Sequence, residues 1–167
     1  YRGVVSVAST DNGDLKSGFS NYGTTIDVSA PGSSIYNTWQ NDTYAYLSGT
    51  SMASPLTASV AGLIFAHFPG ITPEQVGERL RVTGDDISGS NPSYPNMLGK
   101  RINAQKALAT ATPVSVRAVA VTFSDASGDG IIVSGEVVTV NVIFKNVLSA
   151  ATSLVIGLEN KNNKANV

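Results

Sequence analysis

The sequence has no cysteine, which removes disulfide staples, thiolate metal sites and a cysteine nucleophile. It has one histidine in 167 residues, so a site built from several imidazoles is out as well. Charge is scarce: 14 % of residues are Asp, Glu, Lys or Arg, with 11 basic against 12 acidic and no basic cluster. A near-neutral chain of this kind does not suit nucleic acid or an anionic membrane surface as a main partner. No apolar run approaches the roughly 18 residues that span a bilayer. What is abundant is apolar side chain, 42 % of the residues, which a disordered tail does not carry. On a prior of about 150 residues per domain, the length suits one complete core or pieces of two.

The chain opens inside a strand-like run, with neither an initiating Met nor a signal peptide, and closes on a polar stretch from Lys161. The expectation is a fragment of a longer protein. Residues 4–8 and 24–28 read as short β-branched strands, and 33–37 and 43–47 as two more. Residues 50–68 are apolar on nearly every face and uncharged, which predicts an interior helix. Pro69-Gly70 stops it. Thr72-Pro73-Glu74 then supplies a cap, a first-turn proline and an acidic first turn for a helix to about residue 82. Asn103 caps a last short helix over 104–111.

The composition changes at Thr112-Pro113. Three alternating runs follow: Val119, Val121, Phe123; then Val138, Val140, Val142, Phe144; then Leu154, Ile156, Leu158. Period-2 alternation predicts an antiparallel sheet with one wet face. Three strands fall short of the roughly seven of a sandwich, so this module is expected to be truncated too. The domain division is therefore 1–112 and 113–167.

The chemistry concentrates in Ser48-Gly49-Thr50-Ser51-Met52-Ala53-Ser54-Pro55, between a strand and the apolar helix. A serine at a helix N-terminus sits among unpaired N–H groups and the positive end of the dipole. Those groups stabilise an oxyanion when the hydroxyl attacks a carbonyl. Gly49 and Ala53 leave room for a substrate backbone, and Pro55 lacks the N–H that would pair with the Ser51 carbonyl. Met52 beside the serine is a site of oxidation that would crowd it. The residues alone leave two readings open, an ordinary Ser/Thr helix cap and a nucleophile.

The octapeptide resembles the active-serine segment of subtilisin-like serine proteases. Val5-Ser6-Val7-Ala8-Ser9, Phe19-Ser20-Asn21-Tyr22-Gly23 and Asp27-Val28-Ser29-Ala30-Pro31-Gly32 are similar to further segments of that family, in the family's order. So are His67-Phe68-Pro69 and Ile102-Asn103-Ala104. Leu56 and Ser59 depart from the family's usual His and Gly. The resemblance covers residues 1 to about 111.

It implies an α/β fold: the C-terminal part of a subtilisin-like parallel-sheet three-layer domain, followed by a truncated all-β immunoglobulin-like module. It implies a serine endopeptidase acting on protein or peptide substrates, secreted and bacterial, with no catalytic cofactor. Ser51 would be the nucleophile of an Asp-His-Ser triad, with Gly49 and Thr50 bordering the substrate. The family's chain order places the Asp, the His and the oxyanion Asn upstream of Tyr1, in a missing N-terminal half. The fragment alone is then expected to be inactive. His67 cannot stand in as base: sixteen helical residues beyond Ser51 is about 24 Å, against a hydrogen-bond reach of about 3 Å. Asp11 and Asp14 have no imidazole to orient, and Asp27 reads as a strand-end hydrogen bonder or a weak cation site. A non-catalytic adhesion or calcium-binding module is the alternative.

A second candidate site lies at 125–136. Asp125, Ser127 and Asp129 fall at positions 1, 3 and 5 of an EF-hand-like loop, Gly130 at 6, the Ile131 carbonyl at 7 and Glu136 at 12. These hard oxygens suit a structural Ca²⁺, although strands rather than helices flank the loop. A plain Gly-rich strand connection stays open beside that reading. Asn41-Asp42-Thr43 fits a glycosylation acceptor, a triplet that chance often produces.

Overall fold

A computed structural model describes residues 3–156. Four short strands come first: β1 (Val7–Thr10), β2 (Val28–Pro31), β3 (Ile35–Trp39) and β4 (Thr43–Leu47). Two helices follow, α1 (Thr50–His67) and α2 (Pro73–Thr83). Then come β5 (Lys100–Arg101), α3 (Ala104–Ala109), β6 (Val116–Asp125) and β7 (Val138–Asn146).

β1, β2 and β5 form a parallel sheet in that order, with Val7 opposite Val28 and Val28 opposite Lys100. Both strands foreseen at the start of the chain sit three or four residues later than expected. The reason is chemical. Ser9, Thr10 and Ser29 are fully buried strand residues, and an apolar run does not reveal them. Ser9 is made tolerable inside by partners: its N–H donates to Ser20 Oγ at 2.9 Å and its Oγ pairs with Ser17 Oγ at 2.8 Å. Ser29 Oγ donates to the Leu98 carbonyl at 2.6 Å.

One face of the sheet carries the helices. Val28, Ala30, Ala53, Val60, Ile64, Val76, Leu80, Ile102 and Ala107 make one core there. A smaller cluster of Ala8, Ile87 and Leu98 closes the other face through a helix-free segment. A three-layer arrangement with helices on both faces is thus not formed by the described residues.

The expectation of a helix buried all round is corrected. α1 buries a single stripe, Ala53, Thr57, Val60 and Ile64, against β1, β2, α2 and α3. Leu63 stays 50 % exposed and Phe65 46 %. Its apolar sequence is matched to more covering surface than the described residues supply.

α2 starts as its sequence demands. Thr72 Oγ1 accepts from the Gln75 N–H and Gln75 Oε1 from the Thr72 N–H, a reciprocal capping box ahead of Pro73. α3 begins on Asn103, whose Oδ1 accepts from the Lys106 N–H, and ends at Ala109, two residues short of the expected 111.

β3 and β4 pair as a hairpin, Trp39 opposite Thr43. Asn41 and Asp42 turn it at φ 58° and 55°, the left-handed region that Asn and Asp tolerate. Tyr36 on this hairpin stacks on Tyr44 at 5.4 Å.

β6 and β7 form the expected antiparallel pair, with a register shift between Ala118 and Ala120. The third run is corrected: Leu154 and Ile156 lie outside any strand, and Leu158 lies outside the described residues. No helix among the described residues is long and apolar enough to cross a membrane.

Candidate active site

β4 ends at Leu47 and α1 begins at Thr50, so two residues turn a strand into a helix. Gly49 occupies the N-cap position in extended backbone, and no side chain caps the helix. Ser51 is therefore not the cap. It is the second helical residue, whose N–H no preceding helical carbonyl reaches. Its side chain is exposed and makes no hydrogen bond among the described residues. Pro55, the sixth residue of α1, withholds the donor that the Ser51 carbonyl would otherwise meet. A shallow depression of about 570 Å³ opens at Ser51, walled by Val5, Val7, Thr50, Ser54 and Pro55.

The turn is held from behind. The Gly49 N–H donates to the Gly32 carbonyl at 2.8 Å. Ser48 Oγ accepts from the Ser34 N–H at 2.8 Å. Gly32 and Ser33 in turn donate to the carbonyl of the buried Thr10, at 2.9 Å and 3.3 Å. A hydroxyl is thereby presented at the positive end of a helix on a turn tied to the sheet. This geometry can stabilise negative charge beside an attacked carbonyl, with the Ser51 N–H as donor.

Among the described residues, the groups weighed as partners for Ser51 make their contacts elsewhere. His67 is the last residue of α1, its ring centroid 4.6 Å from that of Phe68. Sixteen helical residues, about 24 Å, separate it from Ser51. Asp11 Oδ1 accepts from the N–H groups of Gly13 and Leu15 at 2.9 Å and 3.0 Å. Asp14 pairs with Arg101 at 2.6 Å. Asp27 Oδ2 accepts from the Ser6 N–H at 3.0 Å while its Oδ1 meets Arg117 at 3.1 Å. It is a strand-end hydrogen bonder with a cationic side chain beside it. Burial alone would raise the Asp27 carboxyl, yet the bonds from Ser6 and Arg117 together hold it below its ordinary value.

In the loop at 125–136 the carboxylates cap their own backbone. Asp125 Oδ2 accepts from Ser127 Oγ at 2.8 Å and from the N–H groups of Asp129 and Gly130 at 2.9 Å and 3.1 Å. Glu136 accepts from the N–H groups of Ser127 and Val133 at 2.9 Å and 3.2 Å. The Ile131 N–H donates to Asp129 Oδ1. Among the described residues no three His, Cys, Asp or Glu side chains gather in a metal-holding group. The bond from Ser127 leads those that pull the exposed Asp125 carboxyl down to about 2.

Comparison with known proteins gives this geometry its relatives. The sequence profile of the subtilase family matches residues 1–100. Thermitase of Thermoactinomyces vulgaris is 45 % identical over 108 residues, 65 % of this chain and 37 % of thermitase. A cell wall-associated protease of Bacillus subtilis is 47 % identical over 85 residues, 51 % of this chain and 10 % of that protein. A solved structure titled as proteases from Pseudoalteromonas arctica superposes with a TM-score of 0.58 at 30 % identity, over 66 % of this chain and 37 % of that one. The chain thus spans well under half the length of the proteins it matches. The profile covers β1 and β2 of the parallel sheet, the turn bearing Ser51 and both longer helices, and the chain belongs to the subtilase family.

Proposed function

We propose that Ser51 is the nucleophile of a serine endopeptidase. The observation that carries the reading is an exposed hydroxyl without a partner among the described residues, two residues into a helix, on a turn tied to a parallel sheet. In the reaction Ser51 Oγ attacks the scissile carbonyl as a base takes its proton. The carbon–nitrogen bond breaks, the amine leaves with that proton, and water then hydrolyses the acyl-enzyme. The Ser51 N–H meets the oxyanion, and Gly49 and Thr50 border the substrate chain.

Among the described residues no histidine or carboxylate is bonded to Ser51, and His67 lies at the far end of α1, so we assign the base and the acid to residues outside the described part. The exposed apolar faces of α1 support a further part of the same catalytic domain as their cover. This chain by itself is then inert. Protein or peptide substrates and secretion from a bacterial cell follow the family and the names of the relatives. The residues beyond 112 supply two strands of a β-rich module, and an immunoglobulin-like sandwich needs strands beyond those described.

A fluorophosphonate probe on the full-length gene product tests the central assignment. Labelling that disappears in Ser51→Ala supports it. A full-length product that takes no label belongs to the non-catalytic alternative. Structural Ca²⁺ at Asp125, Ser127, Asp129, Ile131 and Glu136 is a separate proposal resting on residue types and spacing. Calorimetric titration with Ca²⁺ supports it if binding heat is seen with the protein and lost in Asp125→Asn. Absence of heat in both withdraws it. No catalytic cofactor enters the proposed reaction.

A further inference from the structure

We infer that Gly32 is a positioning residue for the nucleophile, acting through Gly49; this rests on the endopeptidase reading. The loop after β2 passes behind the Ser51 turn at backbone contact. A methyl group built on Gly32 would stand 2.7 Å from the Gly49 carbonyl oxygen and 2.3 Å from Ser9 Oγ. No real Cβ tolerates either distance, so one of the two neighbours must yield. The Ser9 hydroxyl can rotate or be removed. The Gly49 carbonyl cannot move alone, because it is part of the N-cap of α1 and accepts from the Met52 N–H at 3.0 Å.

The loop is a bracket with two ties on each side. Toward the sheet, Gly32 and Ser33 donate to Thr10, which is fully buried. Toward the turn, the Gly32 carbonyl accepts from Gly49 and the Ser34 N–H donates to Ser48 Oγ. Displacement of Gly32 is transmitted to Gly49, and Ser51 is two residues further on. A misplacement of about 1 Å in reacting atoms costs up to about a hundredfold in rate.

The full-length gene product is the material, with fluorophosphonate labelling rate and peptide kcat and KM as readouts. Gly32→Ala is expected to slow labelling and lower kcat by about ten- to a hundredfold, with KM changed less than about twofold. A plain packing defect against Ser9 would be largely relieved by removing its hydroxyl, which leaves the Ser9 Cβ at 3.1 Å. The double variant Gly32→Ala/Ser9→Ala is therefore expected to stay as slow as Gly32→Ala, measured against Ser9→Ala alone. Full rescue by Ser9→Ala overturns the inference, and so does wild-type kcat in Gly32→Ala. Should Gly32→Ala not fold by circular dichroism, Ser48→Ala decides. It removes only the second tie and is expected to lower kcat several-fold at unchanged KM; an unchanged kcat overturns the inference. Unsubstituted protein that takes no label overturns the endopeptidase reading and this inference with it. Labelled wild type with an equally fast Gly32→Ala overturns this inference alone.

Discussion

At the scale of single residues, Asp27 shows how a family signature can be structural. Its carboxylate joins the Ser6 N–H of one chain segment to Arg117 of another. The folded-state pKa lies below the ordinary 3.8, so the bonds to the charged form stabilise the fold at any pH above that value. The contribution is lost as pH falls from about 3.8 through the lower folded-state value. Thermal melts across that interval should show Asp27→Asn less stable than wild type at neutral pH, with the gap closing toward acid. A gap independent of pH would assign Asp27 a neutral packing role. Asp125 Oδ2 accepts from the N–H groups of Asp129 and Gly130 on the exposed loop, so Asp125→Ala should raise amide exchange at both, whose N–H groups lose their acceptor.

The segment from Ser48 to Pro55 stood out by a local signal, small and hydroxyl residues ahead of an apolar helix, but that signal left a helix cap and a nucleophile open; the fold removes the cap, because Gly49 holds that position. Gly32 was visible only as part of a signature. Its contacts are Ser9 and Gly49, which no local pattern brings beside it. The aspartates gave the same lesson: their residue types are plain in the sequence, but their partners Arg101 and Arg117 come from far along the chain.

At the scale of elements, the starts of α2 and α3 were read well because they are chemical, set by the Thr72 and Asn103 side chains. Thr72 and Gln75 hold each other's N–H groups, and Thr72→Ala should lower the unfolding free energy by about 1 kcal/mol in denaturant melts. No loss would mean that Pro73 alone sets the start. The first strands were misplaced because their buried residues are small and polar: Ser9 pairs with the Ser17 hydroxyl and Ser29 donates to the Leu98 carbonyl, contacts that leave no apolar trace. β5, with only Lys100 and Arg101, carries no strand signal at all. α1 was expected to be interior, and its apolar faces are half open among the described residues. Apolar composition reports how much cover a helix is built for, not which chain segment provides it.

At the scale of the whole chain, the residues after Thr112 are fastened to the helical part rather than trailing from it. Glu78 on α2 is 6 % exposed in its side chain and pairs with Arg81 at 2.6 Å. It also bonds Arg117 and Ser115 from the β6 side. Lys145 of β7 reaches Glu74 at 2.6 Å, and Gln75 Nε2 donates to the Val147 carbonyl at 3.3 Å. Glu78→Gln should destabilise by about 1–3 kcal/mol, a moderate cost because the two arginines it leaves are 31 % and 42 % exposed and can rehydrate. Amide exchange in β6 should rise with it. A loss of stability without faster exchange in β6 would place the effect inside α2. The sequence was divided at Thr112-Pro113 on a change of composition, and the seam of Glu78, Ser115 and Arg117 across that point is a tertiary fact that only the fold discloses.

The most direct test of the account is the mass of the full-length gene product after reaction with a fluorophosphonate, followed by peptide mapping. One adduct per chain, located on the Ser51 hydroxyl, is the result expected of an oxygen nucleophile at the start of α1. An adduct on any other residue, or a Ser51→Ala protein that still gains the same mass, would contradict it.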